Sequence, residues 1–121
     1  MIGRSALERA RVRSLERIAE LGVLSRIAAI FQNTHPFMAG RIKQSADAAD
    51  NARNMLAGAL KVLDAEIGRR PFVAGERPTI ADCTLLAALE FGEFAGVPLD
   101  PAHANVTRWY AAFKERPSAQ A

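Results

Sequence analysis

From Ile80 to Leu89 the chain reads Ile-Ala-Asp-Cys-Thr-Leu-Leu-Ala-Ala-Leu, with Asp82 as its one charged residue. A helix this free of charge has no broad face for water and must be wrapped by other helices. Starting such a helix inside a core leaves amide donors that water cannot reach. Thr79 and Asp82, three residues apart, are the pair that can satisfy them. Thr79 accepts from the first turn, Asp82 reaches back to the Thr79 amide, and its charge suits the positive end of the helix dipole. The pattern predicts a helix from Thr79 to about Ala95, stopped by Gly96-Val97-Pro98. Both box residues are assigned a structural role, and replacing either with Ala is expected to cost about 1–2 kcal/mol, the range for helix caps.

The flanking segments supply the wrapping. Ser5 and Glu8 form a second capping-box pattern. Behind them Leu7, Ala10, Leu15, Ile18, Leu21, Val23 or Leu24, Ile27, Ala28, Ile30 and Phe31 recur at helical spacing as far as Asn33-Thr34-His35-Pro36. One uninterrupted helix is expected there. Its second half is apolar on more than one side, which implies two packing partners. A second helix is predicted from Ser45 to Ile67, with Ala49, Ala52, Met55 or Leu56, Ala59 or Leu60, Leu63 and Ile67 as its stripe. Asp47 and Asp50 lie near its start and Gly68 follows its end. Pro36 to Gln44 reads as a loop with a short turn. Arg69 to Pro78 reads as non-helical, pinned to the core by Phe72 and Val73. A last helix is expected from about Ala102 to Arg116, with Val106, Trp109, Tyr110 and Phe113 inward and Pro117 closing it.

At 121 residues, half of them hydrophobic, the chain is one domain, residues 1–121, of all-α class built as a helical bundle. The net charge of +3 raises nucleic acid as a partner. Arg9, Arg11, Arg13 and Arg17, however, are interleaved with Glu8, Glu16 and Glu20, the pattern of a solvated helix face. Neither nucleic acid nor membrane is expected as a partner, since no run approaches the roughly 18 apolar residues a span requires. Met1 to Ser5 lacks the form of a signal peptide, and a single cysteine suits a reducing compartment, so a cytoplasmic location is expected.

The residues assemble no catalytic or metal-binding motif. His35 and His103 are distant in sequence, and Cys83 stands alone on a helix expected to be buried, which points to a structural thiol.

A more specific signal is Phe72-Val73-Ala74-Gly75-Glu76-Arg77-Pro78-Thr79-Ile80-Ala81-Asp82. It resembles the approach to the central helix of the all-helical C-terminal domain of bacterial-type cytosolic glutathione S-transferases. Asn105-Val106, Arg108-Trp109 and Glu115-Arg116-Pro117-Ser118 resemble that family's closing helix. Gly3-Arg4-Ser5-Ala6-Leu7-Glu8-Arg9-Ala10 resembles the start of its first C-domain helix. The resemblance therefore covers the whole chain in the family's order.

That resemblance implies detoxifying conjugation of glutathione, as co-substrate, to hydrophobic electrophiles. It also implies that glutathione and the catalytic Ser, Tyr or Cys sit in a thioredoxin-like domain, on the same protein or a partner chain, that these residues do not include. No catalytic residue, metal or cofactor is then expected on this chain. Its part would be one wall of the electrophile pocket and a share of a homodimer surface. Carried over position by position, Glu16 and Glu20 would lie near the dimer axis, where a polar residue can reach the partner's glutathione, Val23 and Ile27 would line the apolar side of the pocket, and Phe91 would face the electrophile. Each has an ordinary alternative, a solvated acid for the glutamates and core packing for the rest. With its partner domain absent, the apolar faces of the first and third helices should be uncovered and drive association. The alternative function is a non-catalytic interaction module of the same fold.

Overall fold

The computed structural model describes residues 2–120, and every element among them is helical apart from one isolated bridge between Phe72 and Gly75. In chain order these are α1 (Ala6–Arg17), a π-helical segment (Ile18–Leu24), α2 (Ser25–Thr34), a 3-10 turn (Pro36–Met38), α3 (Ala46–Ile67), α4 (Ile80–Ala95), α5 (Ala104–Phe113) and α6 (Pro117–Gln120).

The local signals act as expected at most ends. The Ser5 side chain accepts from Glu8 N at 3.0 Å, although Glu8 turns to Arg77 instead of closing the expected box, and the Ser45 side chain accepts from Ala48 N at 3.2 Å. Gly68 and Gly96 close α3 and α4 with φ of 52° and 79°, angles that favour glycine. Two ends differ from expectation. The last long helix stops at Phe113, and Pro117 opens the short α6 instead of closing α5, because a proline at the first helical position loses no hydrogen bond.

The first helix is not uniform. Its buried residues Leu15, Ala19, Val23 and Ile27 are spaced four apart three times running. In an α-helix each four-residue step overshoots a turn by about 40°, so the three would spiral about 120° away from the core. The wider π turn over Ile18–Leu24 absorbs the excess and keeps all four in one stripe. This segment packs against α3 on one side and α4 on the other, and Gly22 lies so close to α3 that an added Cβ would stand 2.7 Å from Ala59 Cβ.

The core gathers the inward stripes of α1 to α5, with Trp109, Ile27, Ile30, Leu63, Ile67 and Leu85 among its largest fully buried side chains. Long-range polar ties fix the outer helices. Arg11 Nη2 meets Glu66 Oε2 at 3.0 Å across α1 and α3. The α5 N-terminus has no cap of its own from His103. Asp64 of α3 accepts from Val106 N at 2.9 Å instead, and Arg108 returns two 2.9 Å bonds to the carbonyls of Gly68 and Arg70.

Glu8 and Arg77 pair across the bundle. Burial pushes the Glu8 carboxyl up, but the hydrogen bond and charge of Arg77, helped by Arg4, bring it net below its ordinary value. A carboxyl whose pKa is depressed on folding contributes stability above its unfolded pKa and loses it as pH falls through the folded one. Glu8→Gln is therefore expected to lower the thermal midpoint at neutral pH. The gap from the wild type should close in acid, and a gap independent of pH would refute the pairing as its source.

Candidate functional site

The box that opens α4 does more than cap. Asp82 is 0% exposed, and its Oδ2 accepts from Thr79 N at 2.9 Å while the Thr79 hydroxyl accepts from Ala81 N at 3.3 Å. Asp82 Oδ1 accepts from Val73 N at 2.9 Å and from Trp109 Nε1 at 2.8 Å. One side chain thus joins the start of α4, the non-helical approach and α5. The spacing of Thr79 and Asp82 revealed the cap, but nothing local announced the indole of Trp109, which had read as a plain core anchor.

With α4 held this way, one of its faces stays open. Cys83, Ala87, Glu90 and Phe94 recur at steps of four, three and four, one line along the helix, and all four are exposed. This corrects the expected burial of Cys83, whose thiol reaches the surface. Cys83 and Ala87 lie between two surface depressions and line both.

On one side of this line, a groove of about 380 Å³ runs between α4 and the π segment, lined by Glu16, Glu20, Leu24, Cys83, Thr84 and Ala87. Glu16 Oε2 accepts from Thr84 Oγ1 at 2.9 Å, which turns its carboxyl toward α4, whereas Glu20 leans toward Arg17 at 3.8 Å. On the other side, a hollow of about 240 Å³ lies among Cys83, Leu86, Ala87, Glu90, Phe113, Ser118 and Ala119. At the far end of the first groove four rings cluster. Phe31 stands 4.5 Å from His35, 5.7 Å from Phe91 and 6.0 Å from Phe94, and His35 stacks on Phe94 at 6.3 Å. Phe94, 70% exposed, opens this cluster to solvent.

Of the residues singled out from sequence, Glu16 and Glu20 share one groove and Phe91 joins the ring cluster at its end. Val23 and Ile27 stand apart from both. They are fully buried in the core, drawn inward by the π turn, and neither can touch a ligand without unpacking it. Sequence reading missed Thr84, Phe31, His35 and Phe94. Their one signal is spacing, since Phe94 lies eleven residues after Cys83 and on its face, and Phe31 and His35 are a four-residue pair.

The site is suited to binding. Among the described residues no group of three His, Cys, Asp or Glu could hold a metal. Burial pushes the Tyr110 phenol well above its ordinary value, and its hydrogen bond to Glu93 and the charges of Glu93 and Glu90 push it further. It keeps its proton at neutral pH and offers neither base nor nucleophile.

The model of the family described as "Glutathione S-transferase, C-terminal domain" matches residues 27–117. The chain belongs to the glutathione S-transferase C-terminal domain family.

As a member of that family it is 23% identical to glutathione S-transferase 2 of Saccharomyces cerevisiae over 98% of its length, which is 52% of the yeast protein. The glutathione S-transferase domain thus spans about half the length of the curated relative it matches. The crystal structure of Gtt2 from Saccharomyces cerevisiae superimposes with a TM-score of 0.87 over 99% of this chain and 59% of that one, at 23% identity. A glutathione S-transferase domain-containing protein from Marinobacter aquaeolei gives 0.83 at 29% identity, over 98% and 58%. A glutathione transferase family member from Pseudomonas fluorescens, solved with two glutathione molecules bound, gives 0.78 at 23%, over 98% and 53%. The family match takes in the Thr79–Asp82 box, the α4 face and Trp109, and begins after Glu16 and Glu20. No helix of the described residues is long and apolar enough to cross a membrane.

Proposed function

We propose that these residues form the acceptor-binding half of a glutathione transferase, which conjugates glutathione to hydrophobic electrophiles when a thioredoxin-like domain lies over the open face of α4. The observation that carries this reading is the polarity of that face. Its N-terminal end offers Glu16, Glu20 and Thr84, groups able to meet the polar tripeptide. Its C-terminal end offers the Phe31, His35, Phe91 and Phe94 rings, a surface for a flat apolar acceptor. The thiolate would be generated on the covering domain, so this chain acts by positioning. No metal or further cofactor enters the scheme.

The outer side of the π segment supports a second copy as a partner. Leu21 is exposed there, in a groove of about 560 Å³ whose lining also includes Ser14, Arg17, Ile18, Gly22 and Arg26. Apolar side chains lining one open groove mark a contact surface.

The test uses the protein that carries these residues joined to its glutathione-binding half, with a chloronitrobenzene as acceptor. Phe91→Ala is expected to raise KM for the acceptor about tenfold, the loss of roughly 1.4 kcal/mol of ring contact, with KM for glutathione unchanged. An equal rise in both constants, or conjugation by the isolated 121-residue chain, would remove the reading.

A further inference from the structure

The π segment Ile18–Leu24 is a wall shared by two surfaces that face different ways. Ile18, Leu21 and Gly22 line the outer groove toward Ser14 and Arg26, while Glu20 and Leu24 line the inner groove toward Cys83 and Ala87. Between them the segment is clamped, with α3 behind Gly22 and α4 in front. Helix-to-helix approach at Gly22 leaves no room for a side chain, because an added Cβ would meet Ala59 Cβ at 2.7 Å and a Cβ cannot swing aside without its backbone. Close-packed interiors transmit such displacement instead of absorbing it. The π turn sits inside a continuous helix, held along the chain by backbone bonds such as Ser25 N to Glu20 O, so its distance from α3 and α4 is set by packing on both sides.

We infer that the π segment couples the two grooves mechanically, with Gly22 as its pivot. Pushing the segment off α3 moves the Glu20 and Leu24 row toward α4 and narrows the inner groove, and letting it settle closer to α3 widens that groove. Anything that docks in the outer groove and shifts this contact is thereby felt at Cys83 and Thr84. The coupling rests on packing alone and stands whether or not the chain serves a transferase.

Cys83 is the single cysteine and lines both the inner groove and the neighbouring hollow, whose lining includes no residue of the π segment, so a change in its alkylation by iodoacetamide when only the contact between that segment and α3 is altered reports the inner groove. Gly22→Ala is expected to slow alkylation at least about twofold, the low end for coupling carried through packing. Ala59→Gly, which removes the opposing methyl, is expected to quicken it, and the double variant should return to the wild-type rate whatever its thermal midpoint. If Gly22→Ala does not fold, Ala59→Gly decides alone. An unchanged rate in Ala59→Gly, or a slowed rate that the double variant fails to restore, overturns the coupling.

Discussion

Asp82→Ala is expected to destabilise the domain by about 3–6 kcal/mol, a loss far beyond that of an ordinary cap. The substitution strands three buried donors at once, the amides of Thr79 and Val73 and the indole N–H of Trp109. Each unmet donor costs about 1–2 kcal/mol or more, giving about 3–6 kcal/mol in all. Whole domains of this kind are stable by only about 5–15 kcal/mol. Thr79→Ala, which removes one side-chain acceptor, should cost about 1–2 kcal/mol. Asp82→Asn should fall between them. Its amide oxygen can keep Val73 and Trp109, but its NH₂ group then faces the Thr79 amide, donor against donor. Trp109→Phe should cost less in the Asp82→Ala background than in the wild type, since the shared bond is already gone. Urea denaturation followed by circular dichroism measures all four. An Asp82→Ala midpoint no lower than that of Thr79→Ala would mean that Asp82 is a cap and nothing more.

Gly92→Ala is expected to destabilise the fold by about 2–3 kcal/mol, the range for forcing a group into a packed core. A Cβ there would stand 2.7 Å from the backbone oxygen of Val97 and 3.2 Å from Ile27 Cδ1. The Val97 carbonyl cannot swing aside, because the amide of the same residue is bonded to Gly92 O at 2.8 Å. Gly58 is the contrast. It lies within α3 with nothing near its missing Cβ, so Gly58→Ala should stabilise by about 0.5–1 kcal/mol through helix propensity. Opposite shifts of the thermal midpoint are the expected result. A drop in both would show that propensity and space are not what separates them.

The two glycines illustrate why some features were legible in sequence and others were not. Helix ends depend on residues within a few positions, so Ser45, Gly68, Thr79 and Gly96 could be read directly. The Thr79–Asp82 box was legible for the same reason, and the resemblance built around it led to the family that residues 27–117 match. The π turn left a trace, the fourfold spacing of Leu15, Ala19, Val23 and Ile27, but a helical reading with some tolerance absorbs it. Val23 and Ile27, which the family resemblance would set at a pocket, lie in the core, the ordinary alternative for both. Cys83 was placed in the core and lies at the surface. The Cys83 expectation came from the apolar character of its helix, which says that a segment avoids water and not which neighbour covers each residue, and the Val23 and Ile27 expectation came from the resemblance, which does not fix where a side chain points.

The sequence by itself determined the approximate span of the main helical stretches, most of their caps and the all-α class, because these follow from periodicities and end signals a few residues long. Only the tertiary structure decided which polar groups meet across the bundle. Asp82 takes the indole of Trp109, Asp64 caps α5, Thr84 turns Glu16, and Phe31 joins Phe91 and Phe94. Such pairings span dozens of residues, and helix packing alone, through the approach distances that Gly22 and Gly92 permit, brings the partners within bonding range.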